Sequence, residues 1–506
     1  MPSRVLLLTP ARRFISNRYG VGFQIPLGLV LIGGPLVDAG HTVRLIDNDL
    51  HGWNPKRLIA EIRNFAPDCI MMGHTGSTAA HHTCLNTARF LREAFPNIPI
   101  AYGGVYPSYA WEHTLNECPA IDIIVRGEAE QTAIDLVEAW EKRTPLTEIP
   151  GIAYRENGMP TASTHRPPIA DLDAYRPGWE LVEWEEYKLF GFGRSAGMQF
   201  SRGCPLTCTY CGQWMFWKKW RHRSPENFVE QLRILAHDYG VKIVWMADEN
   251  FGADRDVTID VLNRLIEANL GLSLNINMTA ADVARDADIM HLYKAAGVDY
   301  VVMGIESLEN PVITSIRKNN PFDISKRAVQ ALRENSILAL TNIIYGLEDE
   351  SLGTIWTKFR KGLELDSDVF NACYLTPHFW TAAGRGTKPQ DVIQLNQERW
   401  TYRNQVIEVP KLSPLVLFIG VKLTEFLFHM RPKALMRLIT TRDARLRKLL
   451  RQSMLTGAGV LFTEITEFFF KTNFAPTGSW EHLPGSKAET HPKPLVLTEQ
   501  ATTVRG

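Results

Sequence analysis

Three of the seven cysteines fall within eight residues, in Ser201-Arg-Gly-Cys204-Pro-Leu-Thr-Cys208-Thr-Tyr-Cys211-Gly-Gln-Trp214. The C-x3-C-x2-C spacing puts three thiolates on one tight loop, within reach of three corners of a cubane iron–sulfur cluster. Four-iron clusters usually take four cysteines, so a missing fourth implies an external ligand on the open iron. Zinc is the competing metal. It prefers paired knuckles closed to four ligands, and Cys69, Cys84, Cys118 and Cys373 are isolated in the chain. Three core cysteines remain the third reading, which needs one apolar face where the sequence has Gly, Pro and Thr.

Other residue types that carry chemistry sit at the ends of apolar runs. They are Asp248 in Ala247-Asp-Glu-Asn250, Glu306 in Gly304-Ile-Glu-Ser307, Tyr345 in Tyr345-Gly-Leu-Glu348, and His378 in Thr376-Pro-His-Phe-Trp380. Asp248 and Glu306 have helix N-capping as their plain alternative. His378 reads as a proton relay or substrate contact, or as a core histidine. Beyond Cys211, Gln213-Trp-Met-Phe-Trp217-Lys-Lys-Trp220-Arg-His-Arg223 holds four aromatic and five basic residues in eleven positions. Such a segment can stack flat rings and pair carboxylates, bind single-stranded RNA by the same physics, or dock one domain on another.

These residues need a scaffold. Up to about residue 145, short apolar runs at Val5–Thr9, Thr42–Asp47, Cys69–Gly73, Ile100–Gly103 and Ile121–Val125 alternate with helical patterns at Leu27–Ala39, Pro55–Phe65, Ala79–Phe95 and Tyr109–Leu115. This alternation predicts a doubly wound, Rossmann-like parallel sheet. Ligands bind such sheets at the carboxyl ends of the strands, here followed by Gly73-His-Thr-Gly-Ser-Thr78, Gly103-Gly-Val-Tyr-Pro107 and Arg126-Gly-Glu-Ala-Glu-Gln131. Residues 146–195 read as a connector with Pro-marked turns. A second series over 196–385 has strands at Met198–Ser201, Ile243–Ala247, Ser273–Asn277, Tyr300–Gly304, Leu338–Ile344 and Val369–Leu375, which fits a partial (β/α)6 barrel. Ser224-Pro225 starts a helix between them. Residues 386–474 read as a helical region and 475–506 as a disordered tail.

A C-x3-C-x-aromatic-C motif after the first strand of a βα series, with Tyr210 in the aromatic slot, resembles the radical S-adenosylmethionine enzymes over about residues 195–385. The resemblance implies that S-adenosylmethionine chelates the open iron of a [4Fe-4S] cluster held by Cys204, Cys208 and Cys211. Reductive cleavage then gives a 5′-deoxyadenosyl radical that takes hydrogen from substrate. It further implies Asp248 at the methionine amino group (the family's Gly-Gly-Glu signature is absent there), Glu306 at the ribose or methionine moiety, and Tyr345 on the adenine side. The doubly wound region ahead resembles the cobalamin-binding domain of class B members. That likeness implies a nucleotide tail approached by Gly103 and Gly104 and contacted by Thr75 and Ser77. Many such domains place Asp-x-His-x-x-Gly after the first strand. Here Ala11–Arg18 contains no His, and Asp49-Leu-His51-Gly52 follows the second strand instead, so no histidine is expected beneath cobalt.

The whole arrangement resembles the anaerobic magnesium-protoporphyrin IX monomethyl ester oxidative cyclase family. The shared features are Arg126-Gly-Glu128, Asp171-Leu-Asp173, Trp179-Glu-Leu-Val-Glu-Trp184-Glu-Glu-Tyr187 and Cys211-Gly-Gln-Trp-Met-Phe-Trp217; the departure is Gly20-Val-Gly-Phe-Gln-Ile-Pro26, where the family has a Trp-Pro-Pro opening. The likeness implies oxygen-independent closure of the isocyclic ring in bacteriochlorophyll synthesis. A small hydrophobic substrate such as a porphyrin ester, and an electron donor such as ferredoxin or flavodoxin, come with it. The alternative of the same architecture is a cobalamin-dependent C-methyltransferase acting on a tetrapyrrole or hopanoid. A cobalamin or cluster-based sensor is the non-enzyme alternative.

Composition bounds the rest. With 506 residues, 45% hydrophobic and 22% charged, the chain is long enough for about three domains. Lys+Arg and Asp+Glu are equal at 55 each, so a global electrostatic case for nucleic-acid binding is absent. The N-terminal apolar run is too short for a signal peptide, and a cytoplasmic protein is expected. Leu412–Met430 is apolar but interrupted by Lys422 and Glu425, and Arg431–Arg451 follows with eight Lys/Arg and one Asp. That pair reads as a buried helix followed by a solvated one, or as a peripheral contact with an anionic membrane.

Overall fold

The computed structural model describes residues 2–11, 24–74, 77–189, 193–318, 320–346 and 350–471, with Ser77 and Lys471 by backbone alone. Five strands open the chain: β1 (Arg4–Thr9), β2 (Thr42–Asp47), β3 (Cys69–Gly73), β4 (Ile100–Gly103) and β5 (Ile123–Val125). All five are parallel. The run Val5–Leu8 is buried on both faces, as a parallel strand covered by helices requires. The crossover helices carry the expected start signals. Asn54 accepts from the Arg57 amide at 3.0 Å ahead of Pro55, and Ser224 accepts from the Asn227 amide at 3.1 Å ahead of Pro225.

The connector is more structured than the sequence reading allows. It contributes β6 (Ile152–Glu156) and β7 (Met159–Ala162), an antiparallel hairpin that extends the first sheet to the order β2-β1-β3-β4-β5-β6-β7. Its turn is Asn157-Gly158, both at positive φ, the type I′ geometry that fits the twist of flanking strands. The expected helix Tyr109–Leu115 is two shorter ones, Val105–Tyr109 and Trp111–Glu117.

The second sheet holds β8 (Lys188–Leu189), β9 (Gly193–Met198), β12 (Val241–Met246), β13 (Ser273–Thr279), β14 (Val298–Glu306), β15 (Leu338–Tyr345) and β16 (Val369–Tyr374) in the order β16-β15-β14-β13-β12-β9-β8. Six strands are parallel and β8 is an antiparallel edge. The first of the six ends at Met198, not Ser201. The next residues form a separate two-residue strand, β10 (Ser201–Arg202), paired antiparallel with β11 (Arg221–His222). The cysteine loop lies between these two short strands.

The two α/β units share one hydrophobic core, running from Val5 and Leu7 through Leu27, Trp179 and Met198 to Tyr374. Contact is close where Gly34 of the helix Leu27–Asp38 meets the Arg176 carbonyl; a Cβ on Gly34 would lie 2.2 Å from that oxygen. Three helices, Pro414–His429, Pro432–Thr440 and Ala444–Lys471, complete the described chain. No described helix is long and apolar enough to cross a membrane.

Candidate active site

The cysteine loop begins at Gly203, whose φ of +92° favours glycine. A Cβ there would lie 2.6 Å from the Lys219 carbonyl. Gly203→Ala therefore combines backbone strain with a clash against main chain. The expected loss is about 1–3 kcal/mol of stability, with reduced iron retention, read by denaturant unfolding and iron content of the anaerobic protein.

Two other segments fix the loop. The Thr209 amide donates to the Ile316 carbonyl at 3.1 Å, and the Cys208 thiol faces the Arg317 carbonyl at 3.8 Å. The Ala383 amide donates to the Thr209 carbonyl at 2.9 Å. Trp380 lies over Gly212, where a Cβ would be 2.0 Å from the indole nitrogen. Within the loop, the Cys211 amide and the Trp214 indole both donate to the Cys208 carbonyl at 3.2 Å.

Burial pushes the Cys204 thiol up to about 11 and raises Cys208 and Cys211, with Lys318 opposing at all three and the neighbouring cysteines adding to the rise at Cys204 and Cys211. The three sulfurs thus feel one another's charge and share one microenvironment. Metal binding is what makes such thiols thiolates at neutral pH. The donor set fits a cubane with one corner left open: three sulfurs on one loop and no fourth cysteine beside them. Of the remaining cysteines, Cys69, Cys84 and Cys118 lie buried in the first domain and Cys373 in β16.

Asp248 is fully buried after β12. Its carboxylate accepts from the Phe200 amide at 3.0 Å and from the Ser201 amide and hydroxyl at 2.6 Å each. Burial raises it to about 6 against these hydrogen bonds. The side chain expected at the methionine amino group is thus occupied in tying β12 to the residues that launch the cysteine loop. Tyr345 is also fully buried. Its ring lies 4.6 Å from the Lys358 ammonium, within the core and off the cavity wall.

Glu306 ends β14 at φ +66°, a bulged position beside Gly304 that turns its carboxylate toward Lys318, 3.3 Å away. Burial first, then the Glu306 charge, raises the Tyr210 hydroxyl. Lys318, which the sequence reading missed, thereby pairs with Glu306 while its charge also acts on all three thiols. It follows a short helix and carries no periodic signal.

Glu306 and Tyr210 line a cavity of about 1140 Å³. Thr9, Asp47 and His74 form its wall at the carboxyl ends of β1, β2 and β3, and Asn275, Asn277 and Asn342 line it from the barrel strands. Five buried polar atoms along this wall have no hydrogen-bond partner among the described residues: Thr9 Oγ1, Trp245 Nε1, Asn275 Oδ1, the Tyr374 hydroxyl and Thr376 Oγ1. Buried polar groups are normally satisfied, so a polar ligand spanning both domains fits this wall. Gly104, at φ +129°, leaves β4 in a conformation suited to glycine, and Gly103 packs against Val125. Thr75 lies outside the described residues, as does the Ser77 side chain, although the Ser77 backbone opens the helix Ser77–Ala94. The loop Ala11–Arg18, which carries no histidine for cobalt, lies outside them beyond Ala11.

His378 also lines the cavity. Its Nδ1 is 2.8 Å from the Thr78 hydroxyl of the first domain, and its ring stacks on Trp380 at 4.8 Å. Burial lowers it to about 4, so the imidazole is neutral at physiological pH. His51 stacks on Trp53 at 4.1 Å and faces Glu183, away from this group.

The aromatic-basic segment docks domains rather than lining the cavity. Arg202 pairs with Glu128 at 3.0 Å and with Glu130; Arg221 pairs with Glu128; and Arg223 donates to the Leu172 carbonyl at 2.7 Å. Trp217 lies 5.1 Å beneath the Arg202 guanidinium.

Residues 20–137 match the B12 binding domain and residues 198–360 the Radical SAM superfamily. The anaerobic magnesium-protoporphyrin IX monomethyl ester cyclase of Synechocystis sp. is 36% identical over 98% of this chain and 100% of its own. The chain belongs to this cyclase family. A second cyclase, from Rubrivivax gelatinosus, is 30% identical over 74% of the chain and 68% of its own length. Among solved structures, the radical S-adenosylmethionine methyltransferase TsrM of Kitasatospora setae, with cobalamin and a [4Fe-4S] cluster bound, covers 93% of the chain and 100% of its own at 14% identity, with a TM-score of 0.67. That likeness shows the fold: a cobalamin-binding domain, a partial radical barrel and a helical C-terminal region. Members of this cyclase family with these two domains are enzymes that use a [4Fe-4S] cluster, S-adenosylmethionine and cobalamin.

Proposed function

We propose that this chain closes the isocyclic ring of magnesium-protoporphyrin IX monomethyl ester without molecular oxygen. The observation that supports the reading is a cavity walled by both α/β domains, in a chain similar along its whole length to such cyclases. When bound, the cluster with S-adenosylmethionine supplies a hydrogen-abstracting radical and cobalamin a one-electron carrier. The chain's own residues do the positioning. Cys204, Cys208 and Cys211 hold the cluster, with Glu306 and Tyr210 at the cosubstrate. Asp248 holds the start of the loop in place through the Phe200 and Ser201 amides.

Aromatic lining suits a macrocycle: Trp245 and Tyr300 line the cavity with ring centroids 5.7 Å apart and ring planes tilted by 59°. The neutral His378 imidazole can pass a proton without holding charge, and Thr78 fixes its orientation across the domain boundary. A ferredoxin- or flavodoxin-like donor supplies the electrons.

Anaerobically reconstituted protein, given S-adenosylmethionine, a low-potential reductant and the porphyrin ester, tests this by product mass. The expected product gains oxygen and loses hydrogen. A product heavier by one methylene assigns the chain to C-methylation instead. Cleavage of S-adenosylmethionine with unchanged porphyrin overturns the substrate.

A further inference from the structure

Fifteen of the twenty large apolar side chains that stand exposed among the described residues lie between Leu415 and Phe470. They are ordered along the helices. Ile419, Leu423, Phe426 and Met430 recur at helical spacing on and just beyond Pro414–His429, and Leu455, Phe462, Ile465 and Phe469 do so on Ala444–Lys471. The short helix between them exposes Met436 and Ile439, the latter to 75%. Soluble monomers rarely expose a contiguous apolar area of this kind without a partner.

Charge identifies the partner. Every exposed charged side chain from 411 to 470 is cationic: Lys411, Lys433, Arg442, Arg445, Lys448 and Arg451. Of the four carboxylates in the same stretch, three are largely enclosed and Asp443 is half-buried, and all four are paired. Glu425 and Glu464 pair with Lys422, Glu467 with Arg399, and Asp443 with Lys294. Apolar stripes with cations and no exposed carboxylate match an anionic lipid surface: the stripes enter the acyl boundary and the cations meet the headgroups. A protein partner would give no reason to exclude acidic residues so completely.

The surface is also continuous with the cavity. Phe426, Met430, Phe462 and Ile465 are exposed, and each lines the cavity as well. We infer that the three C-terminal helices seat the enzyme on an anionic membrane leaflet, with the cavity mouth facing the bilayer. An apolar substrate then enters from the lipid rather than from water.

Vesicle flotation of the full-length, cluster-loaded protein tests the inference. Vesicles of phosphatidylglycerol and phosphatidylcholine should carry the protein upward at low salt. Phosphatidylcholine alone, or high salt, should leave most of it below. The variants Ile419→Glu/Leu423→Glu/Ile439→Glu and Lys433→Glu/Arg442→Glu should each lower the bound fraction at least tenfold, with iron content and S-adenosylmethionine cleavage unchanged. These positions are exposed and lie off the cavity wall, and the charge pair serves as the second variant should the apolar triple lose iron. Two results overturn the proposal. One is wild-type protein that stays below with every vesicle. The other is a stable dimer by light scattering that the apolar variants convert to monomer, which assigns the stripes to a second copy of the chain. Cleavage and ring-closure assays with detergent-presented substrate are read separately, so the failure of lipid binding leaves the proposed reaction standing.

Discussion

Cys208→Ala is expected to abolish reductive cleavage of S-adenosylmethionine, by more than about 1000-fold, since one thiolate of three is the anchor of one cluster corner. Cys208 is the most enclosed of the three, set against the Arg317 carbonyl, with its own carbonyl held by Cys211 and Trp214. Those backbone bonds survive the substitution, so the fold should persist while the iron-linked visible absorption collapses. Alanine at Cys69, Cys84 or Cys118 removes only a buried sulfur and should leave the absorption intact. Full iron content and full cleavage in Cys208→Ala would refute the assignment of the metal site.

The second large effect is expected far from any cofactor. Glu128 of the first domain is buried and accepts from Arg202 at 3.0 Å, from Arg221, and from the Ile169 amide at 3.1 Å. Arg202 immediately precedes the cysteine loop and Arg221 follows it, each on one strand of the β10–β11 pair. One carboxylate of the cobalamin-binding domain therefore brackets the loop at both ends. Glu128→Gln leaves Arg221 without a carboxylate and Arg202 with Glu130 alone, so two enclosed guanidiniums share one charge. The expected cost is about 3–5 kcal/mol of stability, read as a lower denaturant midpoint, with iron retention falling in parallel. Adding Arg221→Gln removes one of the stranded cations and should recover part of the loss. A Glu128→Gln protein within about 1 kcal/mol of wild type, with normal iron, would show that the two domains hold the loop independently.

Much of the scaffold was legible because parallel strands covered on both faces leave continuous apolar runs. β2, β3 and β4 fall on the residues that the sequence reading assigns. The β6–β7 hairpin carries the strong signal Asn157-Gly158, but its strands are short, and Pro160 interrupts the apolar pattern of the second. The cysteine loop was legible because its spacing is itself the chemistry. The partners of that loop were not. Glu128 lies 74 residues from Arg202 in sequence, and Lys318 is 12 from Glu306; only the fold brings each pair together. Asp248 shows the opposite lesson. Its place at a strand end matched a cosubstrate role, yet two buried amides and a hydroxyl already use its oxygens.

The second sheet has six parallel strands and stays open: among the described residues β16 and β8 are its terminal strands, and the β16 edge is covered by the helix Pro414–His429, whose Glu425 accepts from the Ala372 amide at 2.9 Å. A sealed eight-strand cylinder leaves its interior to its own side chains. Here the open sheet is faced by the helix Ala444–Lys471, which packs Leu449 and Leu450 with Tyr300 and Leu338 and contributes Met454, Leu461 and Phe462 to the chamber. The reaction vessel thus has two walls under separate control. The strand side carries Glu306, proposed at the cosubstrate, whereas none of the proposed cofactor-holding residues lies on the helical side, which is therefore open to resculpting. Changing residues on that panel is the route by which one radical-generating crescent could be fitted to a differently shaped pigment or lipid.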